Sequence, residues 1–171
     1  MHQVLRFSVG AFALAAFAYL AGVVSAQSPV KQVQLTAKQI EGFIAAHKDM
    51  AEAFDKMEGE KSKEVVMKKL SAVAKKFGFK DHDEYDQVAE NIALVMSGFD
   101  TQTKEFTDPS ELAKKDLDKA KAAKDLPEKE KQQLIEDLTE QLKVLQPIQH
   151  PSNVDLVRKY YDKIEPLLAL Q

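Results

Sequence analysis

Residues 36–59 read TAKQIEGFIAAHKDMAEAFDKMEG, and their spacing decides the fold class. Ile40, Phe43, Ile44, His47, Ala51, Phe54 and Met57 recur at intervals of three and four, the period of a helix face rather than of a strand. Thr36 and Gln39 stand at capping-box spacing, where a hydroxyl and an amide each satisfy an unpaired N–H at a helix start. Gly59 ends the run, because glycine adopts the left-handed turn that closes a helix without steric cost. A single amphipathic helix owes most of its stability to what covers its apolar face, so the decisive question is whether partners follow.

Five more helical patterns do. The second is predicted from Ser62 to Phe77, with Val66, Leu70, Val73, Ala74 and Phe77 on one side and Phe77-Gly78-Phe79 as a glycine stop. A third starts near Asp81, with Glu84 three residues on, and carries Tyr85, Val88, Ala89, Ile92, Val95, Met96 and Phe99; Gly98 weakens its last turn. Asp100–Thr107 is polar and reads as a loop or frayed extension. Asp108-Pro109-Ser110-Glu111 supplies a cap, a first-turn proline and an acid for the fourth helix. That helix, to about Lys124, has only Leu112 and Leu117 as large apolar anchors.

Pro127 opens the fifth, whose stripe of Leu134, Ile135, Leu138, Leu142 and Leu145 stops before Pro147. Two prolines bracket Gln146–Pro151 and force a corner. Ser152 or Asn153 is expected to cap the last helix, which carries Val154, Val157, Tyr160, Tyr161 and Ile164, with Pro166 bending or ending it. No strand alternation and no fixed repeat appears. The prediction is an all-α protein, a small bundle of about six helices forming a single domain over residues 36–171.

Upstream, residues 27–35 show no helical stripe and are expected to be a flexible lead-in. Residues 1–26 have the layout of a cleaved signal peptide: Arg6 without an acid, an apolar run Phe7–Val24, and the small residues Val24-Ser25-Ala26. A retained membrane anchor is the rival reading. It is disfavoured by the Ala- and Gly-rich run, the cut-site chemistry and the absence of a following basic cluster. Cleavage after Ala26 predicts an exported, periplasmic protein with no remaining membrane anchor.

The 171-residue chain has formal net charge −3; removing residues 1–26, and with them Arg6, leaves 145 residues at −4. A mildly acidic surface with interspersed lysines argues against nucleic acid as partner. The chain has no cysteine, which excludes thiol catalysis, iron–sulfur clusters and cysteine zinc sites.

The densest polar stretch is Asp81-His82-Asp83-Glu84-Tyr85-Asp86. His82 and Asp86, four apart, share a helix face, where an imidazole and a carboxylate are suited to a metal ion. With Asp83 they are the candidate metal ligands, yet two donors are half of a zinc site. The glycine and third-ligand positions of a calcium loop are not matched. The same acids also suit the positive end of a helix. His47 lies on the first helix's apolar face and reads as a partly buried histidine; His150 lies in the proline corner. No serine has a nucleophile elbow and no glycine loop suits phosphate. No catalytic residue and no cofactor is predicted. Of the adjacent Tyr160 and Tyr161, one is expected to face outward.

Leu35-Thr36-Ala37-Lys38-Gln39 resembles the LTxxQ signature of Spy- and CpxP-like periplasmic stress chaperones, which are small, exported and helical. The glutamine of Leu138-Thr139-Glu140-Gln141 comes one position early for a second copy. The stretch Phe77-Gly78-Phe79 through Tyr85-Asp86-Gln87-Val88-Ala89 to Gly98-Phe99-Asp100, with Tyr160-Tyr161-Asp162, resembles small exported helical proteins of alphaproteobacteria. These resemblances imply compartment and fold and assign no site residue. The leading expectation is a non-enzymatic exported binding protein, acting on a protein partner or client in a chaperone-like role. The alternative is a carrier of a metal ion or apolar small ligand.

Overall fold

The computed structural model describes residues 29–168; the expected signal segment lies outside the described residues. Six helices follow one another: α1 (Ala37–Asp55), α2 (Lys63–Lys76), α3 (His82–Met96), α4 (Pro109–Ala122), α5 (Glu128–Val144) and α6 (Pro151–Leu168). The fold is an all-α bundle, and the described residues contain no sheet, only an isolated antiparallel bridge between Phe99 and Phe106.

Local chemistry sets most of the boundaries. Thr36 Oγ1 accepts the Gln39 N–H at 3.3 Å while the Thr36 N–H donates to Gln39 Oε1 at 3.0 Å, completing the capping box. Ser62 and Asp81 cap α2 and α3 by accepting from Val65 and Glu84. After α2, the N–H of Phe79 reaches the Ala74 carbonyl and that of Gly78 reaches Lys75. This Schellman closure holds Gly78 at φ +90°, a conformation that favours glycine. Gly98 is needed for space instead: a Cβ there would lie 2.4 Å from the Phe106 ring and 2.5 Å from the Thr107 carbonyl.

The last helix departs from expectation. It begins at Pro151, and the Asn153 N–H bonds the His150 carbonyl. Neither Ser152 nor Asn153 caps it. Of the two expectations at Pro166, a bend or an end, the end is excluded, because α6 runs through it to Leu168.

The helices divide into two packing units. α1 packs on α2, α3 and α6, and α3 also packs on α2 and α6. Their shared core holds Ile40, Phe43, Leu70, Val88, Ile92 and Val157. α4 and α5 pack principally on each other. Besides Pro109 and Ser110 at the start of α4, their buried residues are Ala113, Ala120 and Leu138, and these three do not join that core cluster.

The lead-in, expected from its missing stripe to be flexible, is non-helical from residue 29 and is bonded to α3 and α6 from Lys31 onward. Asn91 of α3 accepts the Val33 N–H at 2.9 Å and donates to the Lys31 carbonyl at 3.0 Å. Asn153 of α6 accepts the Leu35 N–H at 2.8 Å and donates to the Val33 carbonyl at 2.8 Å. Both asparagines are buried, and Leu35 belongs to the core. Side-chain amides thus take the place of a neighbouring strand.

Replacing Asn153 by alanine leaves the buried Leu35 N–H and the Val33 carbonyl without these partners. Asn153→Ala is expected to lower unfolding stability by about 2–3 kcal/mol in urea denaturation. A change near zero would show that the Asn153 bonds to the lead-in contribute nothing net to the folded state.

Candidate functional site

Two places in the fold offer functional chemistry: the start of α3, where His82 and Asp86 meet, and the α4–α5 hairpin. The first is built by capping. Asp81 fixes the start of α3, Glu84 accepts the Lys80 N–H at 2.7 Å, and the His82 N–H donates to Ser71 Oγ of α2 at 3.2 Å. One helical turn then brings His82 Nδ1 to 3.0 Å from Asp86 Oδ2. The oxygen is out of line for a hydrogen bond, and both ring nitrogens are buried without one. His82 is only 4% exposed.

Aromatic rings enclose this imidazole. Phe54 of α1 meets it edge-on at 5.9 Å and Tyr85 lies at 6.3 Å. Phe54 itself is 50% exposed, which corrects its placement on the inner stripe of α1. Ala51 is exposed too, while Ala46 and Met50 are buried. The buried face runs Ile40, Phe43, Ala46, Met50 and Met57, and Phe54 lies to one side of it over His82.

Burial pushes the Asp86 carboxyl up, the His82 imidazole pulls it down, and Glu90 and Asp83 push it up; the net direction is upward. Burial, with the Asp86 charge added, raises the Tyr85 phenol to about 12.

The structure therefore unites His82 and Asp86 but gives them no third donor. Asp83 is exposed and acts on Asp86 as a like charge. Among the described residues no group of three or more His, Asp or Glu is placed to hold a metal ion. His47 lies apart, edge-on to Phe43 at 5.8 Å; burial lowers its pKa and the Leu167 carbonyl partly opposes this. His150 precedes α6. Phe43 and Phe79 both pack on Tyr85, at 5.8 and 5.3 Å. Of the tyrosine pair, Tyr161 is buried, and Tyr160 is half-buried with its hydroxyl donating to Glu41.

The hairpin is the second place. Leu112, Leu117, Leu126, Leu134, Ile135 and Leu142 are all half-buried, and only Leu138 among its large side chains is fully buried. A shallow, open patch on the surface of α5 is lined by Lys129, Glu130, Gln133, Leu134 and Asp137. Sequence reasoning found the scarcity of large anchors in α4 but missed Ala113 and Ala120, whose small side chains form the contact.

At the hairpin's root the sequence signal was half read. Asp108 Oδ1 accepts the Ser110 N–H at 2.9 Å and its hydroxyl at 2.7 Å, as a helix cap should. Its other oxygen, Oδ2, accepts the N–H of Ile148, 40 residues on, at 2.8 Å. No local pattern signals that second bond.

No protein family, curated protein or solved structure matches the chain at a significant level. No helix among the described residues is long and apolar enough to cross a membrane.

The upward shift at Asp86 fixes the sign of a pH effect. A carboxyl held above its unfolded value favours the folded state when protonated, and that contribution is lost as pH rises through its folded pKa. Asp86→Asn is accordingly expected to melt at or above wild type at pH 7, with the advantage shrinking as pH falls toward the ordinary carboxylate range. Calorimetry across that range checks it. A variant that melts below wild type at pH 7 would show that attraction to His82 outweighs burial.

Proposed function

We propose that the chain is an exported, non-catalytic helical binding protein that engages a protein partner, or the apolar surface of an unfolded client, through its α4–α5 hairpin. The observation that carries this reading is the hairpin's thin interior. Two alanines and one leucine of α4 and α5 are buried, and a row of leucines is left half-covered, with no second helical layer packed on them among the described residues. A partner that covered them would add apolar burial at about 25 cal/mol per Å².

The signal-like layout of residues 1–26 supports export to the periplasm. The LTxxQ-like segment supports a chaperone-like role, although in this fold its residues have folding tasks. Leu35 lies in the core, and Thr36 with Gln39 caps α1.

Leu134 is half-buried on α5 and lies outside the core cluster, so a charge placed there strikes binding before it strikes the core. The mature protein is expected to suppress aggregation of an unfolded test client, followed by light scattering. Leu134→Glu is expected to lose at least half of that effect while the melting of the α1–α2–α3–α6 core is unchanged. A wild-type protein without suppression, or a variant as active as wild type, overturns the reading.

A carrier role has one observation in its favour, the unpartnered imidazole of His82 beside Asp86. Ligand that binds only the native state must raise the melting temperature. On the hairpin reading, a tenfold excess of Zn²⁺ or Ni²⁺ leaves that temperature unchanged. A rise abolished by His82→Gln would favour the carrier.

A further inference from the structure

The α4–α5 hairpin joins the rest of the fold through two chain segments, and one side chain spans both. On the way in, the chain is fixed to the core as far as Thr107. Phe99 packs edge-on to Tyr161 at 5.4 Å, Lys104 lies over the same ring at 5.1 Å and pairs with Asp162, and the Thr107 N–H bonds the Gly98 carbonyl. On the way out, Ile148 packs against the core, and Gln32 of the lead-in holds the corner on both sides. The Gln32 amide donates to the Pro147 carbonyl at 2.9 Å and accepts the Gln149 N–H at 2.8 Å. Between these fixed points stands Asp108, with Ser110 on one carboxylate oxygen and Ile148 on the other.

We propose that Asp108 is the latch of the hairpin: its carboxylate ties the start of α4 to the corner after α5, and loss of that tie lets the two helices swing together relative to the core. Beyond its root, where Pro109 and Ser110 are buried, the hairpin is not packed into the core: α4 and α5 pack principally on each other, and Ala113, Ala120 and Leu138 stand apart from the core cluster. Uncharged donors make the latch. Burial pushes the Asp108 carboxyl up, but bonds from Ile148, Ser110 and Glu111 outweigh it and hold it below the usual range, with no charged side chain contributing. The carboxylate is ionised at neutral pH, so the latch is closed there. The value of this device to function rests on the hairpin being the binding arm, whereas the latch itself is measurable without any partner.

The cap and the latch can be separated. Asparagine caps a helix as well as aspartate does, but only one of its two terminal atoms accepts, so Asp108→Asn cannot serve Ser110 and Ile148 together. Asp108→Ser keeps a capping oxygen and cannot reach Ile148. The chain has no cysteine, so spin labels attach only where they are introduced. One pair, Gln133→Cys with Lys69→Cys, reads hairpin against core. A second pair, Lys115→Cys with Glu136→Cys, reads α4 against α5.

Double electron–electron resonance on the mature protein is expected to give one narrow distance distribution for each pair. In both Asp108 variants the hairpin-to-core distribution is expected to widen at least twofold while the α4–α5 distribution stays narrow. An unchanged hairpin-to-core distribution in both variants overturns the latch. Broadening of both pairs overturns it as well, since Asp108 would then be only a cap whose loss unravels α4. Client suppression insensitive to Leu134→Glu would remove the arm reading and leave this result standing.

Discussion

A backbone segment without regular structure can lie against a helical core only if something replaces the hydrogen bonds of a sheet or helix. Here Asn91 and Asn153 do so, each offering one acceptor and one donor to alternate peptide groups of the lead-in. The rest of the core follows from that arrangement. With its N–H satisfied, Leu35 can enter the interior, and α1 starts one residue later from the Thr36 cap. The first helix packs on α3 and α6, the two helices that carry the asparagines, and on α2. Gly42 completes the fit, because a Cβ there would come within 2.8 Å of the Phe77 carbonyl.

The hairpin follows another rule. Its helices meet through alanines, so their backbones approach closely but little apolar area is removed from water. Helices of 14 and 17 residues with so slight a shared interior draw modest stability from packing, and local opening concentrates in such regions. A well-filled core carrying a weakly cored pair of helices places most packing stability in one part of the fold and the readiest local opening in another.

Helix number, order and most starts were legible in the sequence because caps are local. Thr36 with Gln39, Asp81 with Glu84, and Asp108 with Pro109 all act within one turn. Features that depend on distant partners were not legible. Asn153 beside a proline has the composition of a cap, and only the peptide groups 118 and 120 residues earlier show why it is buried instead. Phe54 fits the period of α1, yet periodicity describes a single helix and is silent on where its neighbour ends. His82 and Asp86 were found as a pair from i, i+4 spacing; that no third donor joins them is a matter of tertiary placement. Asn91 interrupts the apolar stripe of α3, and an asparagine buried on such a stripe is a signal that a backbone segment needs it.

The pairing of residues 33 and 35 with Asn153 also orders events in time. A chain that emerges N-terminus first must expose Leu35 until the last helix follows, since its partner lies 118 positions downstream. The α4–α5 hairpin has no such wait, because its contacts are local and close early. The contacts of α6 with α1 and α3 can therefore form only after nearly all of the described polypeptide has been synthesised, and until then the faces of α1 and α3 that α6 covers are open.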